Sequence, residues 1–240
     1  MEINFSGKVV LVAGGTGGLG HAVSRAFLEE GAKVVVTYRK EDEFATLKRA
    51  AGAKAESLEG AVVVDVTDEL AASEFVGGIL SRHGRVDVLV NTVGGYAGGV
   101  KLWDLETKVF DAMLALNLLS GYALSRAVLP AMLKQKHGAI VNVAAKAAVD
   151  HGAGASAYAA SKAAAVAMMD SLAGDLKGTG VRVNSVLPSI IDTEANRKAM
   201  PSADFSVWPK PEEIARVILF LCSDSASVVH GATVPVYGNS

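Results

Sequence analysis

Tyr158 and Lys162 stand four residues apart in the segment YAASK, a spacing that puts both side chains on one face of a helix. An ammonium beside a phenol favours the ionised form, and a phenol tuned this way passes a proton near neutral pH. Far upstream, GGTGGLG at residues 14–20 places Gly14, Gly18 and Gly20 around Thr16 and Leu19. Glycines so spaced let the backbone turn tightly and approach a pyrophosphate, provided the turn leaves a strand and opens a helix. Asp65 in VVVDV and Asn91 in VLVNTVGG each end a β-branched run. At the carboxyl ends of parallel strands they would face a ligand. Each has a plainer alternative, Asp65 as a turn or helix-start carboxylate and Asn91 as a turn residue bonding its own backbone.

These residues need a scaffold, and the hydrophobic pattern supplies one. Short β-branched runs, Val9–Ala13, Val34–Thr37, Ala61–Val64, Val86–Val90, Ala139–Val143, Val181–Leu187 and Thr233–Val236, predict buried parallel strands. Helix-length segments at Leu19–Glu30, Asp42–Ala51, Glu69–Arg82, Phe110–Lys134, Ser156–Leu176 and Pro211–Leu221 alternate with them. That alternation predicts an α/β, doubly wound sheet with helices on both faces. With 240 residues, half of them hydrophobic, one domain spanning 1–240 is expected. Residues 189–209 lack clear periodicity and are expected to form a substrate lid.

Composition narrows the partners. A net charge of −2 with interspersed signs gives no basic face for nucleic acid and no cationic stretch for a membrane surface. Small molecules and copies of the chain itself are the expected partners. One cysteine, Cys222, excludes an internal disulfide framework, and no cluster with metal-ligand spacing accompanies it. The N-terminal segment lacks the pattern of a signal peptide, and no apolar run approaches a membrane span, so a cytoplasmic protein is expected. The Ser156–Leu176 segment is small and apolar nearly all round, with Ala157, Ala159, Ala160, Ala163, Ala164, Ala165 and Ala167. Such helices are buried on two sides, which predicts a homodimer or homotetramer unless the chain's own loops cover it.

Together, the glycine motif, Asp65, NTVGG, Asn117, YAASK and RVNSVLP resemble the short-chain dehydrogenase/reductase family over essentially the whole chain. The resemblance implies a Rossmann fold of seven mostly parallel strands, a nicotinamide dinucleotide, and hydride transfer to a carbonyl or imine. It casts Tyr158 as proton donor and Lys162 as the residue that holds the nicotinamide ribose. Asn117 would complete a proton relay; its plainer alternative is to pin the backbone where a helix bends. Asp65 and Val66 would meet the adenine and Thr193 the carboxamide, with Thr16, Leu19, Asn91, Gly94 and Ile191 also along the cofactor.

At the end of the second strand, where an acid would select NAD, the chain reads TYRK, with Tyr38 in the acid's place and Arg39 next. A guanidinium matches a 2′-phosphate, so NADPH is expected over NADH; the alternative is an ordinary solvated loop cation. The chain departs from the family's pattern thirteen residues before Tyr158, where the usual serine is replaced by Ala145. A missing hydrogen bond to a developing oxyanion costs about 3 kcal/mol of barrier where nothing replaces it. Three explanations stand open: Ser156 substitutes, the substrate does not need the hydroxyl, or catalysis is impaired. AAKAAVD, GGYAGG and IDTEANRKAMPSADFSVW are similar to dihydropteridine reductase, a subfamily that also lacks the serine and reduces a quinonoid dihydropterin. On that resemblance Tyr96 would stack on a flat heterocycle and Trp208, with Phe205, would close the other side, or else serve only lid packing. Against it, those enzymes generally carry the acid and prefer NADH, and generally lack the asparagine that Asn117 supplies.

Overall fold

A computed structural model describes residues 3–62 and 65–240 of the chain. It contains strands β1 (Val9–Ala13), β2 (Lys33–Tyr38), β3 (Leu58–Val62), β4 (Val88–Asn91), β5 (Gly138–Val143), β6 (Val181–Pro188) and β7 (Thr233–Val236). Helices α1 (Gly18–Glu29), α2 (Glu41–Ala51), α3 (Glu69–His83), α4 (Thr107–Leu114), α5 (Ser120–Gln135), α6 (Ser156–Asp175), α7 (Glu194–Ala199) and α8 (Pro211–Cys222) lie between them. The strands form one sheet in the order β3-β2-β1-β4-β5-β6-β7, and every pairing among them is parallel.

Successive strand residues point to opposite faces, so a continuous apolar run feeds two cores. Val10, Val12, Val34, Val36 and Val88 pack with Val23 and Phe27 of α1 and Ile214 and Ile218 of α8. Val9, Leu11, Val35, Leu89 and Ile140 pack on the other face with Val76 of α3, Leu124 and Val128 of α5 and Met169 of α6. The strand order reverses between β1 and β4, and the crevice above their carboxyl ends is where a doubly wound sheet takes its ligand.

Most boundaries shift by a residue or two from the sequence pattern, and three differences are informative. Val86 precedes β4, because its N–H and C=O are taken by the Gln135 side chain at 3.2 and 3.0 Å and not by a neighbouring strand. Strand β3 begins at Leu58, since pairing with β2 recruits Leu58, Glu59 and Gly60, which carry no β-branched signal; the predicted Val63 and Val64 lie outside the described residues. The predicted helix over Phe110–Lys134 runs from Thr107 to Gln135 and passes through a π-helical turn at Ala115–Leu119. Contrary to the reading that no run approaches a membrane span, this stretch is long and apolar enough by length and composition. Leu124, Val128 and Met132 of this stretch pack in the core with Val76 of α3 and the sheet, while Leu119, Tyr122 and Leu133 are exposed.

Candidate active site

Immediately after β1 the backbone turns at Gly14 with φ +72°, and α1 begins at Gly18. The turn is tied down from both sides. Gly14 N–H donates to Thr37 Oγ1 at 2.9 Å, and Thr92 Oγ1 donates to Ala13 O at 2.7 Å. A Cβ on Gly20 would overlap the Gly14 carbonyl oxygen and lie 2.9 Å from Thr92 Oγ1, so only glycine permits this packing. Gly17 caps α1 without a side chain, leaving first-turn N–H groups for an anion. Thr193 reaches the same loop, its Cγ2 standing 2.8 Å from where a Gly18 Cβ would be. The strand, turn and helix arrangement thus fits a dinucleotide's pyrophosphate.

A second cluster forms where α6 passes the ends of β4 and β5. Lys162, only 5% exposed, donates from Nζ to Val143 O at 3.0 Å. Asn117, carried by the π-helical turn, is equally buried; its Nδ2 donates to Ser161 Oγ at 3.0 Å and Gly95 O at 3.1 Å, while Oδ1 accepts from Gly95 N–H at 2.9 Å. π-helical turns recur at functional sites because they re-aim one residue out of the helical register. Gly94 lies between the two side chains: a Cβ there would sit 2.9 Å from Asn117 Oδ1 and 3.0 Å from Lys162 Nζ. Ser161, which the sequence reading passed over although it lies inside YAASK, joins Asn117 to the Tyr158 carbonyl, to which its hydroxyl donates at 2.8 Å. Thr92 was likewise passed over, although it directly follows Asn91 in sequence.

The electrostatics correct one expectation. Burial pushes Tyr158 up to about 12, with the nearby Tyr96 phenol adding to the rise, and burial pushes Lys162 down to about 8. The lysine therefore does not lower the phenol in this state. Its ammonium bonds the Val143 carbonyl, and desolvation is the leading cause of both shifts.

Other predicted residues fall into distinct places. Asn91 is buried and spends its side chain on Ser120 Oγ at 3.2 Å, Asn142 Oδ1 at 3.1 Å and Val93 N–H at 3.2 Å, which is the backbone-pinning arrangement. Asp65 is exposed and accepts from the N–H and hydroxyl of Thr67 at 3.0 and 2.7 Å; those bonds, foremost the hydroxyl, hold its carboxyl below the usual range. Val66 is buried beside it, and Ile191 packs at the edge of the core. Ala145 is buried and extended at the end of β5. Ser156 precedes Tyr158 by two residues, about 200° around the helix, so it does not share the Tyr158 face. Its hydroxyl has no partner and borders a cavity of about 100 Å³ lined by Ala97, Gly98, Val100 and Leu105, not by Tyr158 or Lys162. A larger hollow of about 810 Å³ lies along the open edge of β3 and meets the candidate site only at Asp65; volume alone does not mark the chemistry.

Within residues 189–209, Thr193 caps α7 by accepting from Asn196 N–H at 3.2 Å, and Asn196 Nδ2 donates to Ile191 O at 2.8 Å. Arg197 pairs with Asp192 and lies 4.8 Å over the Phe205 ring. Trp208 is only 6% exposed and packs on Phe205 at 5.0 Å, so its ring is spent on packing the segment. Tyr96, by contrast, is 69% exposed.

A glycine-rich turn at the switch point of a parallel sheet defines a Rossmann-type fold. The chain belongs to the short-chain dehydrogenase/reductase family, whose members bind NAD(P)H: the sequence model described as short chain dehydrogenase matches residues 8–204. The 3-oxoacyl-acyl-carrier-protein reductase FabG of Thermotoga maritima is 34% identical, with 98% of each chain covered. The meso-2,3-butanediol dehydrogenase of Serratia marcescens is also 34% identical, over 99% of this chain and 96% of that one. Among solved structures, ElxO with NADP bound has a TM-score of 0.90 at 27% identity, covering 96% of this chain and 97% of its own. A short-chain type dehydrogenase/reductase from Mycobacterium ulcerans has a TM-score of 0.92 at 25% identity, covering 98% of this chain and 90% of its own.

Proposed function

We propose that this oxidoreductase uses NADPH to reduce a conjugated cyclic imine or related carbonyl, with a quinonoid dihydropterin the best single candidate. One observation carries the reading: Ala145 offers no hydroxyl, and the nearest sequence substitute, Ser156, lies off the Tyr158 face beside a cavity lined by neither Tyr158 nor Lys162. A readily reduced quinonoid imine needs less polarisation than a ketone, so a proton donor without that hydrogen bond is sufficient. The exposed Tyr96 ring beside Tyr158 supplies a face for a flat heterocycle.

When bound, the nicotinamide supplies the hydride. Tyr158 gives the proton. Lys162 holds the nicotinamide ribose, and its charge lowers the barrier to a tyrosinate once the site is occupied. Asn117 and Ser161 fix the helix that carries both. The glycine turn takes the pyrophosphate, Thr193 the carboxamide end, and Asp65 with Val66 the adenine end. Arg39 is exposed at the end of β2, with its charge acting on the Asp65 carboxylate nearby, which supports a guanidinium contact to a 2′-phosphate there. Residues 1–240 act as one domain with 189–209 as its lid. Ala160 and Ala167 are exposed on α6 in the single chain, which supports a dimer or tetramer buried on that face; the single, unpaired Cys222 fits a cytoplasmic setting.

Adding quinonoid dihydrobiopterin should give rapid NADPH oxidation; a rate equal to background removes the proposal. A second reading, a ketone or 3-oxoacyl reductase, draws on the named activities of the Thermotoga and Serratia relatives. It requires turnover of a 3-oxoacyl thioester or a diketone exceeding that of the pterin under the same conditions. A third, a nucleotide-binding subunit without catalysis, requires binding with no turnover of either.

A further inference from the structure

The five residues that follow Tyr38, Arg39 to Glu43, are all charged, two cations followed by three anions. Tyr38 donates its hydroxyl to both carboxylate oxygens of Glu41 at 3.0 Å, so Glu41 is held close to the end of β2. Glu43, in the first turn of α2, reaches back across the opening: its Oε2 accepts from Thr16 Oγ1 at 3.1 Å, and its Oε1 lies 3.4 Å from Lys40 Nζ. Thr16 belongs to the glycine-rich turn. Glu43 therefore bridges the loop that fits a pyrophosphate to the end of the strand where an adenosine ribose is recognised.

From this bridge we infer that Glu43 is a second determinant of nucleotide choice, opposed to Arg39. The inference rests on the proposed nucleotide site and deepens it. A carboxylate at that spot accepts hydrogen bonds from ribose hydroxyls and repels a 2′-phosphate, which is the work an acid at the end of β2 performs elsewhere. In this chain Tyr38 takes the acid's place in sequence, and the carboxylate arrives instead from α2. The cation and the anion then act on the same substituent with opposite sign. Lys40 neutralises part of the Glu43 charge, so the balance tilts toward the phosphorylated nucleotide while leaving the unphosphorylated one accepted. A different use for Glu43 is helix stabilisation, since Glu41, Asp42 and Glu43 all lie in the first turn of α2. That role predicts a change in unfolding midpoint and none in the preference between nucleotides.

The test is calorimetric titration of the intact protein with adenosine 2′,5′-bisphosphate and with 5′-AMP, at low and at high salt. Glu43→Gln should tighten the bisphosphate by roughly three- to tenfold, weaken AMP, and lose most of the gain in high salt because Glu43 is partly solvated. Glu43→Ala, which leaves no polar atom to replace the Thr16 bond, should move the ratio of the two affinities in the same direction. Arg39→Gln should move it the other way. An unchanged ratio in both Glu43 variants, with wild-type binding intact, overturns the role of Glu43 alone. Failure of the wild type to bind either nucleotide overturns the nucleotide site together with it.

Discussion

The ring of Tyr96 stands edge-on to that of Tyr158, with centroids 5.0 Å apart and planes at 78°. Gly98 makes this pose possible, because a Cβ there would overlap the Tyr96 hydroxyl. Its backbone is not in the left-handed region, so alanine meets no strain beyond that overlap. Gly98→Ala should therefore displace Tyr96 and raise KM for a flat substrate while sparing kcat. In a Tyr96→Ala background the same change should be silent, and steady-state kinetics on the four variants reads the coupling directly.

Removal of the Tyr158 hydroxyl is the sharpest test of proton transfer. Tyr158→Phe should lower kcat by about a hundredfold or more while leaving nucleotide affinity unchanged in a titration. Equal turnover by the variant would assign the proton to another group.

Ala145→Ser restores a hydroxyl at the end of β5. For a plain ketone it should raise kcat by about tenfold or more, and for a quinonoid imine it should change little. The ratio of the two rates in the variant and the wild type separates the pterin and ketone readings.

Gly94 separates Asn117 from Lys162, so Gly94→Ala pushes a methyl against both polar atoms. Overpacking of this kind costs about 1–3 kcal/mol. Activity should fall further than stability, since the two displaced groups belong to the site; denaturant unfolding and kcat measured together show the difference.

Lys162 makes stability depend on pH. Its folded pKa of about 8 lies below the ordinary 10.5, so between these values the folded state binds fewer protons than the unfolded one. The cost is fully present below about pH 8 and is relieved as pH rises toward 10.5, a change on the order of 3 kcal/mol for such a shift. Tyr158 acts in the opposite sense at higher pH: with its pKa raised from 10.0 to about 12, its contribution is lost as pH climbs through that interval. Lys162→Met should flatten the rise in unfolding free energy above pH 8, measured by urea titration across the alkaline range.

Much of the frame was legible because one kind of residue repeats its reason. Val9–Ala13 and Thr233–Val236 were read to the residue, since β-branched runs between turn signals have few other uses. Strand β3 was harder: Leu58, Glu59 and Gly60 become strand only by pairing with β2. The π-helical turn under Asn117 lies in the nearly all-apolar stretch ALNLL, where no residue type marks it.

At the site, sequence alone determined the inventory: a glycine turn after a strand, a tyrosine and lysine on one helical face, and an alanine where a hydroxyl was expected. These are properties of spacing and residue type. Tertiary structure decided what each side chain is free to do. It spent Asn91 on hydrogen bonds to Ser120, Asn142 and Val93 and Trp208 on packing against Phe205, brought Thr193 to Gly18, and set Glu43 of α2 against Thr16. It also set the sign of the Tyr158 shift, because desolvation depends on what surrounds a phenol in space and not on the lysine four residues along the chain.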